Sequence, residues 1–390
     1  MLIDKLDSKL QNFNVHDITR DACMLRGSLA HHGYDWWWHN FTGISETTGQ
    51  ERTFFVEFFL INPGLSEDQP VFGQLEGNRR AGKKPSYLMV KAGSWGDGKA
   101  QLHRFFAWKD VKIHWDAPFE VEADDCYASE KELRGSISIS QQDVESHPEW
   151  MCDAGEMSWK LRIQKEIAFN VGPGASKPLR DAEAFQMYWH AEGMKTEYEG
   201  EVIFKGEKYL VAPATSYGYA DKNWGSDFTS PWVWLSSNCL TSTKTGQALR
   251  NSVFDIGGGR PKIYHMALNR RLLGVMYYEG KEYDFNFSKV PLQVHTKFSF
   301  REDEKFCYWH IRQENIDAVM DTKVRCRKKD MLFVNYEAPD GEKRYSRLWN
   351  GGNGEGMIKL YERRGHELEL VDEIQATHVG CEYGEYDQET

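Results

Sequence analysis

Residues 201–211, Glu201-Val202-Ile203-Phe204-Lys205-Gly206-Glu207-Lys208-Tyr209-Leu210-Val211, read as two short apolar strands folded back across a Lys-Gly-Glu turn. Glycine supplies the backbone freedom that a tight hairpin needs, and the flanking runs suit a pleated, half-buried surface. The same grammar recurs in both directions. Pro339-Asp340-Gly341 separates two apolar runs, Gly280 separates two more, and Arg364-Gly365 does so again near the end. Between such turns the apolar residues alternate with polar ones: Leu133, Gly135, Ile137 and Ile139; Trp159, Leu161 and Ile163; Val294, Thr296, Phe298 and Phe300. A period of two puts each set on one face of a strand. Strand after strand at intervals of about ten residues predicts an all-β chain of antiparallel sandwiches or barrels. Helical spacing is convincing only at Leu2, Leu6, Leu10 and Phe13, which predicts a short N-terminal amphipathic helix. The least regular stretches, 141–156, 172–181 and 240–250, are expected loops. No 20–50-residue repeat is present, so a solenoid or propeller is not expected.

At 390 residues the chain has the length of about two or three domains or one large one. A break between residues 215 and 250 leaves two all-β halves of similar strand count, which we place at 1–225 and 226–390. With 14 Trp, 18 Tyr and 21 Phe the sequence is that of an ordered protein with a large core. The net charge of −11 lacks the field that gathers nucleic acid or anionic lipid. The run Lys323, Arg325, Arg327, Lys328, Lys329 reads first as a solvated turn or strand edge, with a small basic patch that recruits an interaction partner as the alternative. The seven cysteines are scattered and form no C-x-x-C pair, which excludes a disulfide framework and a cysteine zinc site. The start carries no signal-peptide pattern, and no apolar run approaches the roughly 18 residues of a membrane span. A cytoplasmic protein with reduced thiols is the expectation.

Most enzyme motifs are missing. Gly257-Gly258-Gly259-Arg260 lacks the Lys-Ser/Thr of a P-loop and reads as a turn, and there is no G-x-S-x-G, H-E-x-x-H or EF-hand loop. His31, His32 and His39 have no carboxylate or cysteine at a metal-ligand spacing, so no metal is expected. What remains is two aromatic clusters. The first, His31 to Asn40, contains Trp36-Trp37-Trp38 and is followed by the apolar run 54–61, which is interrupted by Glu57. Three consecutive tryptophans in a strand must point to both faces. A carboxylate in the middle of an apolar run needs a partner or is driven neutral by desolvation; Glu57 either meets solvent, pairs with an arginine such as Arg52, or is functional. The second cluster runs Tyr219-Ala220-Asp221-Lys222-Asn223-Trp224-Gly225 and leads to Trp232-Val233-Trp234. Either it is a structural corner in which Asp221 and Lys222 satisfy backbone groups, or it lines a pocket.

The segment 182–240 resembles the tocopherol cyclase family: a Gly-x-Val hairpin at Gly200-Glu201-Val202, the Tyr-x-Asp-Lys-Asn-Trp-Gly motif at 219–225, then Trp-x-Trp at 232–234 and a polar triplet at 236–238. Weaker similarity touches 31–41, 54–63, 86–93, 103–115, 354–362 and 376–384. The chain departs from the family at Phe228-Thr229, where Phe-Pro is common, and at Trp36-Trp37-Trp38-His39, which replaces a Gly-Trp-Tyr-Phe element. The resemblance implies two lipocalin-like barrels side by side, as in carotenoid hydratases and lipocalin-like Diels-Alderases, with a pocket for a lipophilic, terpenoid-like or polycyclic molecule. It also implies cyclisation, isomerisation or hydration without a cofactor; a non-catalytic carrier and a pericyclase are the alternatives. Protonating an alkene calls for a carboxylic acid held neutral by apolar surroundings, with aromatic faces to stabilise the cation. Asp221, Glu57 and Glu76 are the candidate acids. Trp36, Trp38, Tyr219, Trp224, Trp232 and Trp234 are candidate walls, Tyr188, His190 and Asn223 candidate polar contacts, and Lys222 a candidate anchor for Asp221 or a phenolate.

Overall fold

The computed structural model describes residues 18–65, 68–169, 182–260, 262–263, 266–267, 271–287, 294–342 and 344–385. The expected N-terminal helix and the expected loop at 172–181 lie outside these residues.

The molecule is all-β, built on two large antiparallel sheets. The first sheet has twelve strands: β1 (Tyr34–Ser45), β2 (Glu51–Ile61), β3 (Tyr87–Ser94), β4 (Ala100–Phe106), β5 (Val111–His114), β6 (Glu120–Ala123), β7 (Cys126–Ser129), β8 (Glu132–Ile139), β9 (Gly155–Phe169), β10 (Met187–Phe204), β11 (Glu207–Val211) and β12 (Gly218–Gly225). Consecutive strands are neighbours from β1 to β4 and from β5 to β11; β1 pairs with β11, and β12 pairs with β1 and β10. The sheet curls until β4 lies against β8 and β9; there Arg104 Nη1 donates to the Ser136 carbonyl at 3.1 Å. After β13 (Trp232–Ser237), β14 (Cys239–Ser242) and β15 (Val253–Gly259) comes a small separate hairpin of β16 (Lys262–Ile263) and β17 (Met266–Ala267). The second sheet then continues through β18 (Arg271–Tyr278), β19 (Lys281–Asp284), β20 (His295–Glu302), β21 (Phe306–Glu314), β22 (Ala318–Arg327), β23 (Leu332–Glu337), β24 (Arg344–Arg364) and β25 (Glu367–Gly384). It closes where Gln313 Nε2 of β21 donates to the Leu272 carbonyl of β18 at 3.0 Å. The result is two lipocalin-like barrels packed side by side.

Three apolar clusters correspond to three places. One fills the first barrel around Trp37, Phe41, Phe54 and Phe58. Another fills the second around Trp309, Met320 and Ile358. The third lies between the barrels and draws Trp38, Phe55 and Phe59 from one and Trp232, Trp234 and Tyr336 from the other. This third cluster explains why alternation fades in 54–61: β2 is buried on both faces, one against its own barrel and one against the neighbour. Where one face meets water, as in β9 and β22, the period of two is clear. In β22 the exposed members are Lys323, Arg325 and Arg327, alternating with buried Val324 and Cys326.

All four hairpin turns read from the sequence join paired strands. Three expectations change. The stretch 240–250 begins within β14, which takes in residues 240–242. The stretch 141–156 contains a six-residue helix, Gln141–Ser146, begun by a Ser140–Asp143 capping box. Gly257–Gly259 forms the end of β15 rather than a turn. A side chain at Gly259 would strike the Pro231 carbonyl and Thr229, so the reason for glycine there is close approach.

Candidate functional site

Directly opposed residues in adjacent strands point to the same face. Across four strands of the first barrel this rule lines up Lys91 of β3 with Glu57 of β2, Glu57 with Trp38 of β1, and Trp38 with Asp221 of β12. The row faces the second barrel, which contributes Trp234 of β13 opposed to Glu382 of β25. The two rows enclose a crevice lined by Trp36, Trp38, Met187, Asp221, Phe228, Trp232, Trp234, Tyr336, Leu348 and Glu382. It contains about 480 Å³ of empty space, drawn out so thinly that it has room for a water or two. Trp36 and Met187 are its partly exposed aromatic and thioether members, which puts them at its mouth.

Asp221 is buried. Its Oδ2 accepts from Trp189 Nε1 at 2.8 Å and lies 3.2 Å from the Tyr219 hydroxyl. Its Oδ1 is buried and has no hydrogen-bond partner among the described residues. Burial pushes this carboxyl up to about 8, helped by the nearby Glu382 and Glu57 and opposed by the bonds from Trp189 and Tyr219. Tyr219 also lies 2.9 Å from Asp255 Oδ2. One phenolic proton serves only one of the two aspartates fully, so the pair is best satisfied when one of them is protonated. Asp255 is itself raised well above the carboxylate range, by burial first and by Asp221 second. Glu382 is half-buried, and withdrawal from water pushes it up to about 7, against bonds from Trp232 Nε1 at 2.5 Å and from Asn350 Nδ2.

Glu57 neither meets solvent nor pairs with Arg52. It is fully buried, 2.7 Å from Lys91 Nζ, and both its oxygens lie 2.9 Å from the Tyr336 hydroxyl. The Lys91 ammonium stands 3.8 Å from the Tyr336 ring centre. Arg52 bonds instead to Tyr209 and Ser94.

Strand alternation removes four candidates from the crevice. Tyr188 and Trp224 stack on each other at 5.5 Å within the first barrel's core. His190 lies 3.3 Å from Asp21 Oδ1. Lys222 anchors Asp35 rather than Asp221, with its ammonium 4.1 Å from the Trp37 ring; a residue adjacent to Asp221 on a strand must point the other way. Asn223 stays on the crevice side, accepting from the Tyr34 hydroxyl at 2.9 Å. Glu76 sits on a one-turn surface helix paired with Arg80, its side chain 79% exposed, so it faces solvent and not the crevice.

Sequence reading did not single out Lys91, Asp255, Tyr336 or Glu382. For Lys91 and Asp255 the signal that marked Glu57, a charge inside an apolar run, is equally present. Tyr336 and Glu382 lie in strands remote from both aromatic clusters and join the site only when the barrels meet.

Among the described residues one group of carboxylates, Asp21, Glu130 and Glu192, has metal-like proximity. The Lys165 ammonium sits 3.1 Å from Asp21 and 2.6 Å from Glu130, and also pairs with Glu192, filling the place a cation would take. His39 lies apart, its Nδ1 2.9 Å from the Tyr198 hydroxyl.

The family described as tocopherol cyclase-like matches residues 140–385. No curated protein matches the chain. An AttH protein from Nitrosomonas europaea is 12% identical over 88% of this chain and 92% of its own, with a TM-score of 0.46. Kievitone hydratase from Nectria haematococca is 13% identical over 90% of this chain and 89% of its own, with a TM-score of 0.43. No helix among the described residues is long and apolar enough to cross a membrane.

Proposed function

Given that the chain belongs to the tocopherol cyclase-like family, we propose that it protonates an alkene of a lipophilic, terpenoid-like substrate held between the barrels, and so cyclises, isomerises or hydrates it without a cofactor. The observation that carries this reading is Asp221: a buried carboxyl raised to about 8, tied down through Oδ2, with Oδ1 unpartnered beside an aromatic crevice. A neutral acid whose free oxygen faces apolar walls is the donor that alkene protonation needs.

In the proposed step the Asp221 O–H bond breaks as a C–H bond forms, leaving a tertiary carbocation and the Asp221 carboxylate. The faces of Trp36, Trp38, Trp232 and Trp234 stabilise the cation, each by about 0.5–2 kcal/mol. A hydroxyl oxygen of the substrate, or a water, then bonds to the cation and releases its proton to the Asp221 carboxylate or to Glu382. Transfer of a neighbouring C–H proton to the Asp221 carboxylate instead gives isomerisation and restores the acid. The closed crevice is too thin for such a substrate, so entry requires Trp36 and Met187 to swing outward. All seven cysteines are free, which supports a reducing compartment such as the cytoplasm.

Asp221→Asn keeps the shape and removes the proton. With a prenylated phenol as probe, turnover should fall about 100-fold or more while affinity changes little. Wild-type turnover should be level at neutral pH and decline through about pH 8 as Asp221 ionises. Unchanged turnover in Asp221→Asn would sink the acid reading. Binding without turnover by the wild type would favour a carrier, and failure to bind any apolar dye would remove both.

A further inference from the structure

Away from the aromatic crevice, the strand β14 begins at Cys239, paired in register with Thr377 of β25. At this point β25 bulges: Gly356 pairs with Ala376 and Gly354 with Val379, leaving Thr377 and His378 as extra residues opposite Glu355. His378 adopts φ +51°, a left-handed conformation unusual for a histidine. The bulge brings both of its ring nitrogens to acceptors. Nε2 meets the carboxylate of Glu51, the first residue of β2. Nδ1 lies 3.2 Å from Thr377 Oγ1, which in turn donates to Cys239 Sγ at 3.0 Å. The Tyr217 ring stacks on the imidazole, centre to centre 4.4 Å. A thiol, an imidazole and a carboxylate thus stand in line, drawn from β14, β25 and β2. A histidine with an acceptor at each nitrogen is held as the doubly protonated imidazolium.

We propose that Cys239, His378 and Glu51 form a nucleophilic site that takes up α,β-unsaturated carbonyl compounds as covalent adducts. Burial disfavours the Cys239 thiolate, but the hydrogen bonds from His378, Thr377 and Tyr217 outweigh it and hold the thiol below its ordinary range. Burial likewise opposes the His378 charge, yet its bonds to Cys239 and Glu51 push it up to about 9. The two shifts describe one thiolate–imidazolium pair. Tyr217, pushed up to about 12 by its bond to Cys239, stays a donor. A narrow crevice adjoins the group, lined by His378, Tyr217, Asn238 and Met194 among others. Its roughly 220 Å³ of empty space is drawn out so thinly that it has room for about one water, so a compound that reaches Cys239 must part these side chains. This space is separated from the acid crevice by Trp234, which lines both.

The chemistry balances without an oxidant. The thiolate forms an S–C bond to the β-carbon, the C=C π pair moves onto the carbonyl oxygen, and the imidazolium proton, passed directly or through Thr377, quenches the enolate at the α-carbon. Nothing leaves, so one acid is enough.

Cys152 is an internal comparator, because it is partly exposed like Cys239 while burial pushes its thiol up to about 11. Treating the full-length protein with one equivalent of N-ethylmaleimide at about pH 6.5, then mapping labelled peptides by mass spectrometry, should show Cys239 labelled at least about tenfold faster than Cys152. The Cys239 rate should fall less steeply with decreasing pH than that of Cys152. His378→Asn, whose side chain tolerates the left-handed backbone, should slow Cys239 at least about tenfold and restore a rate that falls tenfold per pH unit. An independent readout is the ultraviolet thiolate absorbance of the wild type near neutral pH, which Cys239→Ser should abolish. Equal labelling of Cys239 and Cys152, or no thiolate absorbance that depends on Cys239, would overturn the proposal even if Asp221→Asn behaves as expected.

Discussion

At the residue scale the site is organised by a shortage of cations. Glu57, Asp221, Asp255 and Glu382 meet between the barrels with one lysine, Lys91, paired to Glu57. Burial lowers Lys91 while Glu57 and, at longer range, Glu382 hold it up. Among the described residues Asp221 and Asp255 are left without a cation, which is why burial wins there and raises both carboxyls. Breaking the pair by Glu57→Gln strands an ammonium in an apolar wall and should cost about 3–5 kcal/mol in urea unfolding. Adding Lys91→Met to Glu57→Gln should recover most of that loss. A double variant as unstable as the single one would show that the pair matters through shape and not charge. Glu57 was legible as an anomaly in its apolar run; its partner was not, because β3 meets β2 at a register that the sequence does not spell out.

At the element scale, alternation explains both what the sequence conveyed and where it failed. Trp36 and Trp38 on one face and Trp37 on the other follow from the pleat alone. The same pleat sends Lys222 and Trp224 away from Asp221, although all three sit in one compact motif. Contiguity in a motif therefore did not mean contiguity in the site. Alternation also brings β25 into play, because Gly380 leaves space for the ring of Trp234. A Cβ at Gly380 would lie 2.2 Å from Trp234 Cη2. Gly380→Ala should destabilise the protein by ~1–3 kcal/mol through overpacking and weaken binding of the prenylated phenol by displacing that wall. Wild-type stability and affinity in Gly380→Ala would show that the ring moves freely.

At the scale of the whole molecule, the barrels share a core. Trp95 Nε1 donates to Asn350 Oδ1 at 2.8 Å and Tyr87 to Glu337 Oε2 at 3.1 Å, each bond crossing from one barrel to the other. With aromatic side chains from both sides buried between them, neither barrel is complete alone, so calorimetry should record one unfolding transition. Two separated transitions would mean that the interface does not couple them. The sequence by itself determined the strands, the turns, the division of aromatic residues between faces and the identity of Asp221 as an acid among aromatics. These are local properties, set by side-chain period, turn chemistry and desolvation. Only the tertiary structure decided that the crevice lies between the barrels, that Lys91 belongs to Glu57, that Glu382 faces Asp221, and that a bulge aims His378 at Cys239. Those pairings depend on register and on the contact of two closed sheets, and residues far apart in the chain carry no local mark of meeting there.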